Sequence, residues 1–217
     1  MSQTFGKTRW KRFAVVMVPT LAATAAVGVS IAQGALAASF AVSGASFTVT
    51  ADHLHGDGFV QYGTVDTVVK TDPTTGKDSQ GPLPVAVSGF KDATINNLCQ
   101  SVRVPIPMIG TYTLTITAGK DAANPVKASN LVIDMTDLQA SSAVFNNINI
   151  GVAGGAITKG NVDPTSAKQP GFGSSFAQEA DSADLYGVKQ TAWATTADTF
   201  TLNGMSLNVA AGDNPCH

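Results

Sequence analysis

The sequence is poor in charge. Charged residues make up 13% of its 217 residues, against about 25% in an average protein, while 44% are hydrophobic. Residues 1–37 carry four basic groups and no acidic group, which leaves 9 basic and 15 acidic groups, a net charge of −6, in residues 38–217. This composition excludes a disordered chain. It also argues against a nucleic-acid partner, because a polyphosphate needs a basic surface.

Cysteine is equally scarce, with Cys99 and Cys216 as the two copies. Zinc usually needs four ligands at close spacing, so an even pair in an exported chain indicates a disulfide rather than a metal site. We therefore expect a Cys99–Cys216 disulfide, which would fix the C-terminus. We expect no metal and no cofactor.

Long uncharged apolar runs are absent except at the N-terminus. Four basic residues between Lys7 and Arg12 precede an uncharged stretch from Phe13 to Ala38, and Ala35-Leu36-Ala37 matches the small-x-small site of signal peptidase. We expect residues 1–37 to form a helical signal peptide and residues 38–217 to be the exported domain. The alternative is an uncleaved membrane anchor, since the stretch from Phe13 to Ile31 would span about 28 Å as a helix.

Helical periodicity is hard to find after residue 40, whereas apolar residues recur with the period of two that is typical of β-strands. The clearest stretch runs from Thr111 to Thr117, with threonine on one face and Tyr112, Leu114 and Ile116 on the other. We expect the apolar face to be buried and the threonine face to be solvated. Further predicted strands are Val65–Lys70, Val85–Val87, Ala93–Leu98, Val102–Ile106, Leu131–Met135, Val144–Ile150, Asp184–Val188 and Thr199–Val209.

These strands predict a single all-β domain, built as an antiparallel-rich sandwich or as one long folded sheet. A β-solenoid is the alternative, because asparagine stands beside an alternating aliphatic run in three places, at Asn97, Asn130 and Asn147. No fixed period links the three copies.

Catalytic groups are few. The G-x-S-x-G turn of α/β hydrolases is absent, and Ser174, in Gly171-Phe172-Gly173-Ser174-Ser175, is the best-placed candidate nucleophile. His53 and His55 would share a strand face and could chelate a metal with Asp57, although a solvated strand end is the simpler interpretation. His217 is terminal and makes a poor base. The catalytic residues therefore stay unknown, and so does whether the protein is an enzyme.

The longest irregular segment runs from Gly160 to Ser175 and predicts an exposed loop. Phe172 and Phe176 lie at its end, and Trp193 stands among small residues that leave room beside its ring. We expect these three aromatic residues to bind an apolar ligand, in a groove between sheet faces or beneath the loop.

Five segments carry a resemblance to a family: Phe40-Ala41-Val42-Ser43-Gly44, Gly58-Phe59-Val60-Gln61-Tyr62-Gly63, Asn97-Leu98-Cys99-Gln100-Ser101-Val102, Asn130-Leu131-Val132-Ile133-Asp134 and Gln190-Thr191-Ala192-Trp193-Ala194-Thr195-Thr196-Ala197. They look like the small exported proteins of actinobacteria that are grouped as a domain of unknown function. The resemblance covers the whole chain. It implies a small membrane protein as a partner and the label of cholesterol esterase, which members often carry, but it implies no catalytic residues.

Two classes of function are open at this point. The first is a non-catalytic protein, secreted or associated with the cell envelope, that binds a lipid, a wall component or a membrane partner. The second is a lipid-ester hydrolase of the steryl-ester type. Turnover of a steryl ester, and its loss in a Ser174 or His53 variant, would distinguish them.

Overall fold

A computed structural model describes residues 42–72, 75–106 and 108–216. Strands account for 68% of these described residues, and ten antiparallel strands with one short parallel strand, β1, form a single connected sheet. This confirms the all-β prediction, while the predicted signal helix lies outside the described residues. The strands are β1 (Val42–Ser43), β2 (Phe47–Thr71), β3 (Asp78–Asn96), β4 (Leu98–Ile106), β5 (Gly110–Ala118), β6 (Val126–Gln139), β7 (Ser142–Asn146), β8 (Asn149–Ala153), β9 (Phe176–Thr196), β10 (Thr199–Thr201) and β11 (Ser206–Ala211).

Four long strands close into a ring. β2 pairs with both β3 and β9, and β6 pairs with the other edges of β3 and β9. Because the circuit β2–β3–β6–β9 returns to its start, each of these strands has a partner on both sides over part of its length, which satisfies backbone polar groups there. β7 and β8 pair with β9, and β10 pairs with β6.

The ring explains why the strands are longer than the periodicity predicts. β2 has 25 residues, β3 has 19 and β9 has 21. β2 passes from β4 to β3 and β9 from β8 through β7 to β6, while β3 pairs with β2 throughout and with β6 over its second half. The predicted strand Val144–Ile150 is the opposite case, because it divides into β7 and β8 at Asn147, whose φ is 53°.

Two apolar cores lie on opposite faces of the ring. Alternate residues of all four ring strands point inward and form the larger core, which contains Leu54, Phe59, Phe90, Leu131 and Met135. The smaller core lies on the outer face of β2 and β3. The segment between β8 and β9 covers it and contains one helical turn, α1 (Pro164–Ala167), flanked by short 3₁₀ turns.

β4, β5 and β11 form a three-stranded ribbon that extends the sheet beyond the ring. β2 pairs with β4 only from Cys99 to Val102, and β11 is the outermost strand. Pro105 therefore lies where one edge of β4 has no partner strand in the described part of the chain, as expected for a residue that cannot donate to a ladder.

The C-terminal tail returns across one face of the ribbon. A disulfide joins Cys99 to Cys216, with their Cα atoms 5.9 Å apart, which confirms the predicted pairing. The Thr113 hydroxyl donates to the Gly212 carbonyl at 2.7 Å, and the Cys216 amide donates to Ser101 Oγ at 2.9 Å. The tail thus covers the polar side of the ribbon.

This arrangement corrects one prediction. Thr113, expected to be solvated, is only 1% exposed, while Tyr112, Leu114 and Ile116, expected to be buried, are only half-buried, as are Thr115 and Thr117. The physical reason is that the tail returns on the threonine side and satisfies the Thr113 hydroxyl, and no other strand or loop of the described chain covers the apolar side fully.

None of the helices within the described residues is long and apolar enough to cross a membrane.

Candidate functional site

The structure places the three predicted ligand-binding aromatics in different environments. Phe172 is 7% exposed and packs edge-on against Tyr62 in the smaller core, with ring centroids 5.2 Å apart. Phe176 is 63% exposed, and half-buried Trp193 donates from Nε1 to Thr136 Oγ1 at 3.3 Å. None of them lines the two clefts described below. Their ligand-binding role stays a prediction.

One cleft, of about 630 Å³, lies beside the predicted loop. Phe90, Val132 and Ile157 form its apolar part, and its polar part includes Asn130, Asn161 and Asp198. Asn130 donates to Asp198 and accepts from Asn161, so its side chain links the loop to the turn before β10.

A group of acidic side chains lies under the same loop. Burial raises the pKa of Asp134 to about 7, and the nearby negative charges of Asp66 and Asp163 contribute. Burial also raises the pKa of Tyr62 to about 12, although its hydroxyl accepts a hydrogen bond from the Asp163 amide at 3.0 Å. Asp66 Oδ2 is buried without a hydrogen-bond partner in the described chain. The raised pKa of Asp134 makes the stability of the fold depend on pH.

Glu179 holds the loop in place. Its carboxylate, 3% exposed, accepts hydrogen bonds from the backbone amides of Thr158 and Lys159 at 2.7 and 2.8 Å and from Asn149 Nδ2 at 3.2 Å. Burial alone would raise the pKa of Glu179, but these hydrogen bonds lower it below the usual value. Glu179 is therefore a structural anchor.

The histidine pair is held by a residue that the sequence analysis missed. His53 Nε2 and His55 Nδ1 each lie 2.9 Å from Asp184 Oδ1, while the predicted third ligand, Asp57, is 3.8 Å from His55 Nε2. His53 also stacks on Tyr186, with ring centroids 4.4 Å apart. Burial would raise the pKa of Asp184, but hydrogen bonds from His55 and His53 lower it. No group of metal ligands forms among the described residues.

Sequence reasoning could not find Asp184 because it lies on β9, 131 positions from His53. The candidate nucleophile Ser174 is also elsewhere: its hydroxyl donates to the Gly171 carbonyl at 3.2 Å. Within the described chain, the hydrogen bonds of His53 and His55 go to Asp184 and none goes to a serine.

The ribbon carries an apolar strand face that the described part of the chain leaves partly uncovered. We call it the open face and define it by Val102 and Val104 of β4, Tyr112, Leu114 and Ile116 of β5, and Leu207 and Val209 of β11. Leu207 is 54% and Val209 is 56% exposed. At the tip of the β4–β5 hairpin, Met108 and Ile109 are exposed as well. Exposed apolar patches that are contiguous mark binding surfaces.

The open face is continuous with the core of the ring, because paired residues share a face of the sheet. Two neighbouring rows of paired side chains show this continuity. The first row runs from β11 to β9 as Leu207, Ile116, Gln100, Val49 and Gln190. The second runs as Val209, Leu114, Val102, Phe47 and Ala192. Each row begins in solvent and ends inside the ring, where Val49 and Ala192 are buried.

A second cleft marks the place where the open face enters the ring. It measures about 270 Å³ and is lined by Phe47, Leu98, Gln100, Ile116, Thr195, Phe200 and Leu202. We call this cleft the ring mouth. Behind it lies a void of about 20 Å³ that shares Leu98, Gln100, Thr195 and Phe200 with the mouth. An apolar ligand on the open face would therefore meet an opening toward the core.

The fold and this surface define a class of protein: an all-β domain with a closed ring of strands and an open apolar sheet face. A family model covers residues 43–217, and the chain belongs to that family, the family of unknown function DUF6230. This confirms the resemblance to a family of unknown function. No curated protein and no solved structure matches the chain.

Proposed function

We propose that this is an exported, envelope-associated protein that binds a lipid without catalysis, and that the open face is its binding surface. The observation that carries the proposal is the exposure of the ribbon's apolar side: Val104, Leu207 and Val209 are 44%, 54% and 56% exposed, and no segment within the described residues covers them. Covering apolar surface releases about 25 cal/mol per Å², so a lipid chain on this face would bind favourably.

Charge supports a lipid over a hydrophilic partner. No lysine, arginine, aspartate, glutamate or histidine is among the open-face residues or the residues that line the ring mouth. The predicted aromatics are not needed for this site. A wall component and a small membrane protein stay as predictions from sequence and resemblance.

The test compares two charge insertions on adjacent residues of β11. Leu207 points to the open face, while Asn208 pairs with Thr115 on the opposite face. We expect Leu207→Glu to abolish binding of a fluorescent acyl-chain probe and to remove lipid that co-purifies with the protein from its host, as seen by native mass spectrometry. Asn208→Glu adds the same charge on the other face and should leave both unchanged.

Two results would contradict the proposal. One is equal probe binding by the wild type and Leu207→Glu. The other is turnover of a steryl or p-nitrophenyl ester that is lost in His55→Ala or Ser174→Ala with folding intact, which would establish the hydrolase that the family label implies.

A further inference from the structure

Inside the ring, the side chain of Gln190 faces a void. Gln190 is 4% exposed, and its side chain makes no hydrogen bond within the described part of the chain. It lines the void behind the ring mouth. The amide atoms of Gln190 do not belong to the fully buried atoms without a partner, which are Thr64 Oγ1 and Asp66 Oδ2, so they remain accessible from the void. Because most polar groups inside folded proteins are hydrogen-bonded, a ligand or a bound water in that void can supply the missing partner.

A second amide lies at the same level of the ring. Gln100 on β4 and Gln190 on β9 both pair with Val49 of β2, so the two amides flank one valine on the same face of the sheet. Gln100 is half-buried, and its side chain also makes no hydrogen bond to the described chain. Gln100 lines both the void and the ring mouth, whereas Gln190 lines the void. The pair therefore forms a polar spot at the inner end of an otherwise apolar path.

The surroundings decide which group this spot would accept. The other residues that line the void and the ring mouth are apolar, except for Thr195, and none is charged. A carboxylate or phosphate buried there would lack a cationic partner and would be strongly disfavoured. An ester carbonyl or a hydroxyl group can accept a hydrogen bond from an amide N–H without that penalty.

We infer that the ring mouth binds a neutral lipid, whose uncharged carbonyl or hydroxyl group hydrogen-bonds to the amides of Gln100 and Gln190 while its acyl chain lies along the open face. This inference rests on the proposed function and names its ligand class. The mouth, at about 270 Å³, has room for the polar group and the first part of the acyl chain. The remaining chain would continue over Ile116 and Leu207, which belong to the same row as the two amides.

Phe200 limits access to the inner amide. It is 38% exposed and lines both the void and the mouth, so the two spaces meet at its side chain. Rotation of this one side chain would join them, and side-chain rotations of exposed residues take place in nanoseconds or less. The lipid therefore needs no rearrangement of the strands to reach Gln190.

The experiment uses three ligands of equal chain length with different polar groups: dodecanol, methyl laurate and laurate at pH 8. Each is titrated against the purified full chain by displacement of the acyl-chain probe. We expect the alcohol and the ester to bind at least about tenfold more tightly than the carboxylate. Gln190→Leu should weaken the alcohol and the ester by about 2- to 12-fold, the usual range for one lost hydrogen bond, and should leave laurate unchanged.

A second readout separates a ligand-binding amide from a structural one. Because Gln190→Leu replaces an amide that has no hydrogen-bond partner in the described chain with an apolar side chain, it should raise the Tm of the ligand-free protein. Gln190→Met keeps the length of the side chain and serves if the leucine variant fails to fold. Gln80→Leu makes the same chemical change at an exposed position of β3 and should alter neither binding nor Tm.

The outcomes distinguish the inference from the proposed function. Equal affinity for the three ligands, or unchanged affinity in both Gln190 variants, overturns the neutral-lipid inference while leaving lipid binding at the open face in place. A lower Tm in both variants also overturns it, since a bound water would then be the partner of the amide. If no probe binds to the wild type, the inference and the proposed function both fail.

Discussion

Of two apolar sheet faces in this molecule, one is buried under another segment and the other is exposed within the described residues. On the outer face of β2 and β3, Val60, Tyr62, Val85 and Val87 are buried under the segment between β8 and β9. On the ribbon, the open face has a similar alternation of apolar residues but stays exposed. The difference lies in where the chain returns, because a strand pattern defines an apolar face without supplying its cover. The open face therefore stays without a cover within the described residues, and it is the surface on which we propose that a ligand binds.

The covering segment is tied down by polar contacts that the open face lacks. The side-chain amide of Gln169 donates to the Val65 carbonyl at 2.9 Å and accepts from the Val65 amide at 3.3 Å. Glu179 and Tyr62 hold the segment at other points. On the ribbon, the matching polar contacts are those of the tail, and they lie on the other face. Substitutions that break the contacts of the covering segment or those of the tail therefore test why one face is covered and the other is not.

The largest effect should come from releasing the tail. The double substitution Cys99→Ala and Cys216→Ala opens a loop with a sequence separation of 117. For this length, the chain-entropy model gives a loss of about 4 to 5 kcal/mol in the free energy of unfolding. Urea unfolding measures it, and hydrogen exchange at Thr113 should speed up. Reduction of the wild type should reproduce the loss, and a change below about 1 kcal/mol would show that the tail stays docked without the bond.

The next effect tests the covered face. Phe172→Ala removes a buried ring from the smaller core and should lower the free energy of unfolding by about 3 to 4 kcal/mol. Phe176→Ala makes the same change four positions along, at a side chain that is 63% exposed, and should cost less than about 0.5 kcal/mol. Similar losses in the two variants would mean that the segment does not cover the face as described.

The third effect depends on pH. In the folded protein, burial raises the pKa of Asp134 to about 7, so between about pH 4 and pH 7 the folded state holds a proton that the unfolded state has released. This contribution to stability is complete below pH 4 and is lost as the pH rises through 7. Asp134→Asn removes the dependence and should be more stable than the wild type at pH 8, by about 2 kcal/mol or more.

Urea unfolding at pH 4, 6 and 8 checks this prediction, with the difference between variant and wild type as the measured quantity. Asp137→Asn, at an exposed position on the same strand, controls for the removal of one charge. A constant difference between Asp134→Asn and the wild type across the three pH values would contradict the buried carboxyl.

Much of the architecture could be predicted from the sequence, because strands and turns depend mainly on residues that are neighbours in the chain. The period of two predicted the strands, and the lone cysteine pair predicted the disulfide. The three asparagines that suggested a solenoid also have a local cause, since Asn97, Asn130 and Asn147 all adopt positive φ, which asparagine tolerates better than most residues. Their side-chain amides donate to three aspartates, Asp52, Asp198 and Asp181.

The candidate site could not be predicted, because long-range pairing creates it. Leu207 and Gln190 belong to one row only because β11, β5, β4, β2 and β9 are neighbours in the sheet. Nothing in the local sequence of Thr111–Thr117 indicates that the tail returns on the threonine side. Asp184 is likewise brought to His53 and His55 by the pairing of β2 with β9. Each of these contacts depends on the topology.

Substitutions on the open face should have the smallest effect on stability. They therefore test most directly whether this face, unlike the covered face of β2 and β3, contributes little to folding. Leu207→Ala and Val209→Ala shorten side chains that are already more than half exposed, so each should change the free energy of unfolding by less than about 0.5 kcal/mol. Both should still weaken binding of the acyl-chain probe, since each removes apolar surface that a ligand would cover.

A stability loss close to that of Phe172→Ala would show that the described chain already covers the open face. Unchanged probe binding in both variants would place the ligand elsewhere. Only a surface that contributes little to folding and much to binding fits the proposed role. Because the two variants keep the fold, any loss of binding belongs to the face and not to the stability of the ring.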